Sequence, residues 1–168
     1  MTSFQENIIE YRKQLKKGAI QAAYKGLMQY IMDLRIHFKN TYPDFFVSGS
    51  IYYGTMDMTY FAIFPKSIKQ RNLKIAIVFV HEVFRFEAWL AGANRQVQQK
   101  YWQLIKDSDW NLYRIVPSTK GVDSIIEHTL ADNPDFGDPD ALTRQIERET
   151  LIFTRDVESF LSNHTDWL

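Results

Sequence analysis

One short stretch carries residues whose types and spacing suit recognition chemistry. Arg85, Glu87 and Trp89 alternate with Phe86 and Ala88, so on an extended chain they share one face. Asn94 and Arg95 follow just past Gly92, where a helix is expected to begin. A guanidinium and a helix start suit an anion, and an indole suits a flat ring. Arg85, Glu87, Trp89, Asn94 and Arg95 are therefore the candidate ligand-binding set of a binding module, with a small anionic ligand or a protein partner expected there. The same spacing fits a plainer arrangement in which Arg85 pairs with Glu87 and Trp89 covers apolar neighbours.

A second set is acidic. Asp57 and Glu82 fall at expected strand ends, Glu82 beside His81, and Glu87 lies in the next strand. Restriction-type nucleases hold a metal with one carboxylate on one strand and a Glu-x-Lys pair on the next. Here Phe84 and Trp89 stand where that lysine would be, so a divergent metal-dependent nuclease or hydrolase is only the alternative reading. A turn-exposed Glu82 and a capping His81 are the simpler one. His37, His81, His128 and His164 are far apart in sequence, without a His-x-His or His-x-x-x-His pair, so no metal set is expected. No glycine-rich phosphate loop and no Gly-x-Ser-x-Gly elbow occurs; no cofactor is expected and catalytic residues stay unassigned. Tyr52, Tyr53, Tyr60, Tyr101 and Trp102 could stack bases, but no basic residues interleave with them. They read as core, with no nucleic-acid surface expected.

Composition narrows the setting. The 168 residues contain no cysteine, which removes disulfides, thiolate zinc sites and cysteine nucleophiles and fits a reducing, cytoplasmic location. The longest apolar run, Ile75–Val80, is far short of the roughly 20 residues that cross a bilayer, so no membrane partner is expected. The first residues carry no basic segment followed by an apolar one, and no signal peptide is expected. Net charge is zero but uneven. Residues 1–106 hold 15 Lys+Arg against 7 Asp+Glu, and residues 107–168 hold 5 against 13. Such a split fits an acidic part folding on a basic one, or the two meeting between subunits of a homo-oligomer.

The elements that must position these residues are legible in order. Ser3 and Glu6 form a capping box, opening a helix that Gly18 ends. Ile20, Tyr24, Leu27, Ile31, Leu34 and Phe38 mark a second helix, stopping before Pro43 and forming a hairpin with the first. Phe45–Tyr53 and Asp57–Phe64 are expected strands, with residues 66–72 a loop or helical turn between the second of them and the next. Leu73–His81 and Phe84–Ala91 are expected to pair across a tight turn at Glu82-Val83, setting Phe79 opposite Phe86 and Ile77 opposite Ala88. A helix over 93–106, a fifth strand over 110–116 and a short helix around Val122–Leu130 follow. Asp138 caps a long last helix with Pro139 in its first turn and a stripe of Leu142, Ile146, Thr150, Phe153, Val157 and Phe160.

Several runs, Met56–Phe61, Leu73–Val78, Phe84–Glu87, Trp89–Gly92, Lys100–Trp102 and Asp132–Phe136, resemble an uncharacterised family of small bacterial proteins known as a domain of unknown function. The resemblance implies a bacterial, cytosolic, single-domain protein and supplies no activity. The expected fold is α+β over one domain, residues 1–168. A mostly antiparallel sheet of about five strands is flanked by the N-terminal helical hairpin, the inserted helix and C-terminal helices.

Overall fold

The computed structural model describes residues 1–164. The chain falls into two compact units, Met1–Leu34 and Arg35–Leu168. In the first, helix α1 (Phe4–Lys16) opens with the expected reciprocal cap: Glu6 N–H donates to Ser3 Oγ and Ser3 N–H to Glu6 Oε2. Gly18 adopts φ +76°, which a side chain would resist, and turns the chain into α2 (Ala19–Thr41). None of the residues of α1 is buried.

The second unit is a six-stranded antiparallel sheet in the order β1-β2-β3-β4-β6-β5. The strands are β1 (Phe46–Val47), β2 (Met58–Phe64), β3 (Leu73–Val80), β4 (Arg85–Gly92), β5 (Arg114–Ile115) and β6 (Ser124–Asp132). The last turns of α2, residues 35–41, belong to this unit, and helices α3 (Lys66–Lys69), α4 (Arg95–Lys106) and α5 (Pro139–His164) complete it. The fold is thus α+β as expected, with one more strand.

The central hairpin has the register expected from its pattern. Phe79 lies opposite Phe86, Ile77 opposite Ala88 and Val80 opposite Arg85, closed by a turn over 81–84 in which Phe84 takes φ +52°. One face carries Ile75, Ile77, Phe79, Phe86, Ala88 and Leu90, all buried. Ring contacts join this face to its cover. Phe61 meets Phe38 of α2 at 6.1 Å, His128 stacks on Phe153 of α5 at 6.0 Å, and Phe136 closes on Phe79 and Phe86. Asp138 caps α5, its Oδ1 accepting from Ala141 N–H at 3.1 Å, and the expected stripe from Leu142 to Phe160 is buried.

Three expectations need correction. The stretch Val122–Leu130 contains a strand, β6, and no helix. Ile125 and Ile126 are both buried, as are Leu130 and Ala131, so neighbouring side chains bury on opposite faces. Register shifts against β4 at Phe86/Glu87 and Leu90/Ala91 disturb the alternation further, and the period of two is lost from the sequence. The expected strand over Phe45–Tyr53 shrinks to β1. Ser48 N–H still donates to Ala62 O at 2.8 Å, but the return bond from Ala62 N–H goes to Ser48 Oγ at 3.0 Å, and that hydroxyl donates to Ser50 O. A side chain thus takes half of the last ladder pair and the chain leaves the sheet, touching it again at Tyr52 and Tyr60. The strand over Trp110–Val116 shrinks to β5, because Trp110 stacks on Phe160 at 4.5 Å and Tyr113 donates to Asp156, both on α5.

Candidate functional site

The opposite face of the sheet carries Arg85, Glu87 and Trp89 of the candidate set, while Asn94 and Arg95 open α4 just past the end of β4. Trp89 on β4 sits across from Ala76 on β3, Lys74 across from Ala91, and Tyr60 on β2 across from Val78. Side chains of directly paired residues point to the same side, so Tyr60, Lys74, Ala76, Trp89 and Ala91 share it. The alanine methyls leave a depression between the larger side chains. It is a cavity of about 270 Å³, also bounded by Asn94, Arg95, Gln98 and Asp123. That volume lies just below the range of about 300–1,000 Å³ usual for ligand pockets, so it suits a small ligand.

The far wall is set by a close approach at the end of β4. A Cβ on Gly92 would lie 2.6 Å from Gln98 N and 3.1 Å from Asn94 O, so only glycine lets the first turn of α4 rest there. Asn94 caps that helix, its Oδ1 accepting from Val97 N–H at 3.0 Å, which leaves the amide NH₂ as a donor at the cavity rim. Gln98 is buried and donates to Val122 O at 2.9 Å and Ser124 O at 3.1 Å, fastening α4 to the chain that enters β6.

Arg95 is more committed than its sequence position suggested. Its guanidinium donates to Gln98 Oε1 at 2.9 Å, to Thr119 O at 3.2 Å and to Val122 O, and stands 3.5 Å from Asp123. Both ends of that ion pair are largely solvent-exposed, at 63% and 68%, so the contact contributes little by itself and acts as a strap across the rim.

Trp89, Asn94 and Arg95 therefore meet at one cavity, whereas Arg85 and Glu87 do not line it. They lie nearer the hairpin turn and pair with each other at 3.5 Å, as the plainer reading had it. Glu87 is 4% exposed. Two donors on this strand face stand out. Trp89 Nε1 and Arg85 Nε are buried and have no hydrogen-bond acceptor among the described residues. A buried donor left without an acceptor costs about 1–3 kcal/mol.

Lys74, Gln98 and Asp123 were not singled out from the sequence, and Tyr60 only as a stacking ring. Lys74 carried one usable signal, a charge inside a strand that is otherwise nearly all apolar. Tyr60 stacks on Tyr52 at 5.1 Å and has Lys74 Nζ 5.9 Å from its ring centre. Burial, with lesser contributions from the Asp123 and Tyr52 charges, holds its hydroxyl above the ordinary range, so it is a neutral donor at physiological pH.

The acidic set has other employment. Asp57 accepts from Thr55 N–H at 2.9 Å and its carbonyl accepts from His81 N–H at 3.0 Å, which braces the turn entering β2. Backbone N–H groups, that of Thr55 first, hold its carboxyl below the usual range. His81 Nε2 contacts Thr59 Oγ1 at 2.9 Å, and burial pushes its pKa down despite Asp57 nearby. No three His, Cys, Asp or Glu side chains form a metal-holding group among the described residues, so Asp57, Glu82 and Glu87 are not one.

A second polar cluster ties the end of α2 to α5. Tyr42 OH donates to Glu147 Oε1, and His37 Nε2 lies 2.9 Å from Glu147 Oε2. Burial and that hydrogen bond push the Tyr42 hydroxyl up to about 12. Burial alone would raise Glu147, but the bonds from Tyr42 and His37 together outweigh it and its pKa is lowered.

No helix among the described residues is long and apolar enough to cross a membrane. No curated protein and no solved structure matches the chain. A family model does, over residues 4–161, and by that match the chain belongs to the family described as a domain of unknown function, DUF7000.

Proposed function

We propose that the protein is a binding module for a small anionic ligand, held over Ala76 and Ala91 in the cavity between Tyr60, Trp89 and the start of α4. The observation that carries this reading is the cavity itself, floored by Ala76 and Ala91 and bounded by the Trp89 ring, the Lys74 side chain and the start of α4. Around it stand Lys74, the Asn94 amide, the neutral Tyr60 hydroxyl and the N-terminus of a twelve-residue helix, all of which favour negative charge or an acceptor. Tyr60 and Trp89 give a flat substituent two aromatic walls. The Arg95–Asp123 strap closes one side, with Asp123 moderating the positive field. The lack of cysteine supports a reducing compartment such as the cytoplasm.

A metal-dependent nuclease or hydrolase finds no favouring observation, because its three carboxylates form no group. The test is a thermal-shift screen with inorganic phosphate, acetate, benzoate and a neutral amide control, repeated on Lys74→Met and Trp89→Phe. A ligand at 100 times its Kd stabilises by about 2.7 kcal/mol. Stabilisation by an anion, reduced in both variants, is the expected result. No shift from any anion, or shifts unchanged in both variants, refutes the site.

A further inference from the structure

We infer that the cavity takes a zwitterion, a free α-amino acid, and that Asp123 receives its ammonium group. The inference rests on the anion site proposed above and names the class of ligand that fills it. Its starting point is a charge that a plain anion site does not need. Ala91, on the cavity floor, pairs with Lys74 of β3 on one side and with Ser124 of β6 on the other. Asp123 is the residue just before Ser124, and both Lys74 and Asp123 bound the cavity. The backbones of β3 and β6 are two strand spacings apart, about 9.5 Å. A ligand lying over Ala91 therefore has an ammonium on one flank and a carboxylate on the other. An α-amino acid, with its two charges one carbon apart, matches both flanks. A simple anion would face Asp123 across the floor, and a simple amine would face Lys74 and Arg95 with one carboxylate to hold it.

The two flanking charges are open to a ligand. Lys74 forms no ion pair among the described residues, and its Nζ lies 5.9 Å from the Tyr60 ring centre. Asp123 meets Arg95 at 3.5 Å through Oδ1, which leaves Oδ2 for a second donor. The Arg95 guanidinium is itself committed to neutral acceptors, Gln98 Oε1, Thr119 O and Val122 O, so the ligand carboxylate falls to Lys74 and the Asn94 amide. The charge of Asp123 also reaches across the cavity: after burial, it is the next cause holding the Tyr60 hydroxyl above its ordinary range. The rings of Tyr60 and Trp89 suit such a ligand twice, since their faces attract an ammonium and also pack against an apolar side chain.

The experiment is isothermal titration calorimetry of the full chain at neutral pH with two matched trios. One is phenylalanine, phenylpropionate (the same skeleton without the ammonium) and phenylethylamine (without the carboxylate). Alanine, propionate and ethylamine repeat the comparison without the ring. In the trio that binds, the amino acid should bind about tenfold or more tightly than the anion, the size expected of one hydrogen bond to a charged group. Asp123→Asn should weaken the amino acid about tenfold and leave the anion bound at least as well as before, whereas Lys74→Met should weaken both. Asp123 is 68% exposed, so its replacement leaves the fold intact. An anion that binds as tightly as its amino acid, or an amino acid whose affinity is unchanged in Asp123→Asn, overturns the zwitterion and leaves the anion site standing. If no carboxylate of either trio binds, or the amines bind tightest, the anion site itself falls and this inference with it.

Discussion

One chemical change, glycine to alanine, should have opposite signs at two positions. At Gly92 an added Cβ would stand 2.6 Å from Gln98 N, 3.1 Å from Asn94 O and 3.1 Å from Gln98 Cα. All three are backbone atoms of the helix start, so no side chain can swing aside and α4 must move as a unit. Overpacking of that kind costs about 1–3 kcal/mol. For a chain of this length each kcal/mol moves Tm by about 2–4 °C, so Gly92→Ala should lower Tm by roughly 2–12 °C. Gly26 lies inside α2, with nothing within 4 Å of the position its Cβ would take. There alanine restricts the unfolded chain and favours helix, and Gly26→Ala should stabilise by about 0.5–1 kcal/mol. Thermal unfolding followed by far-UV circular dichroism reads both. Because Gly92 borders the cavity, Gly92→Ala should also weaken the binding of any anion that stabilises the wild type. A Gly92→Ala protein as stable as wild type would refute the seating of α4 on β4, and with it the far wall of the cavity.

Phe79 is fully buried against Phe84, Phe86 and Phe136, and Phe79→Ala should cost about 3–5 kcal/mol in urea unfolding. Arg95→Ala should leave Tm nearly unchanged, because its ion pair is exposed, yet speed amide hydrogen exchange over 119–123; unchanged exchange would show that the strap does not hold that loop. Tyr42 should ionise near pH 12 by ultraviolet titration, and in Glu147→Gln nearer its ordinary value of 10. Since the folded value is raised, the stability linked to Tyr42 is present below about pH 10 and lost as pH rises through 12. Glu147 has the opposite sign. Its pKa is lowered on folding, so its contribution is present above the unfolded carboxylate range and lost as pH falls through the folded value, and Glu147→Gln should flatten that acid limb in unfolding measured against pH.

Sequence alone determined the features whose causes lie within a few residues. The Ser3–Glu6 capping box, the Gly18 break, the Asp138-Pro139 start of α5 and its buried stripe depend on spacings of one to four residues. The β3–β4 register was equally legible, since a slip of one residue would have carried Arg85 and Glu87 into the core. The placement of Trp89, Asn94 and Arg95 near one another followed from the same local chain. What only the tertiary structure decided depends on distant partners. The strand β6 is a strand because β4 supplies its ladder, and burial on both faces with two register shifts erases the alternation that would have marked it. The strands β1 and β5 are cut short by Ser48 bonding to Ala62 and by Trp110 and Tyr113 turning to α5. The cavity brings Tyr60, Lys74, Trp89 and Asp123 together from β2, β3, β4 and the approach to β6. No local pattern encodes that meeting, because side chains from separate strands share a face only once the whole sheet has its order.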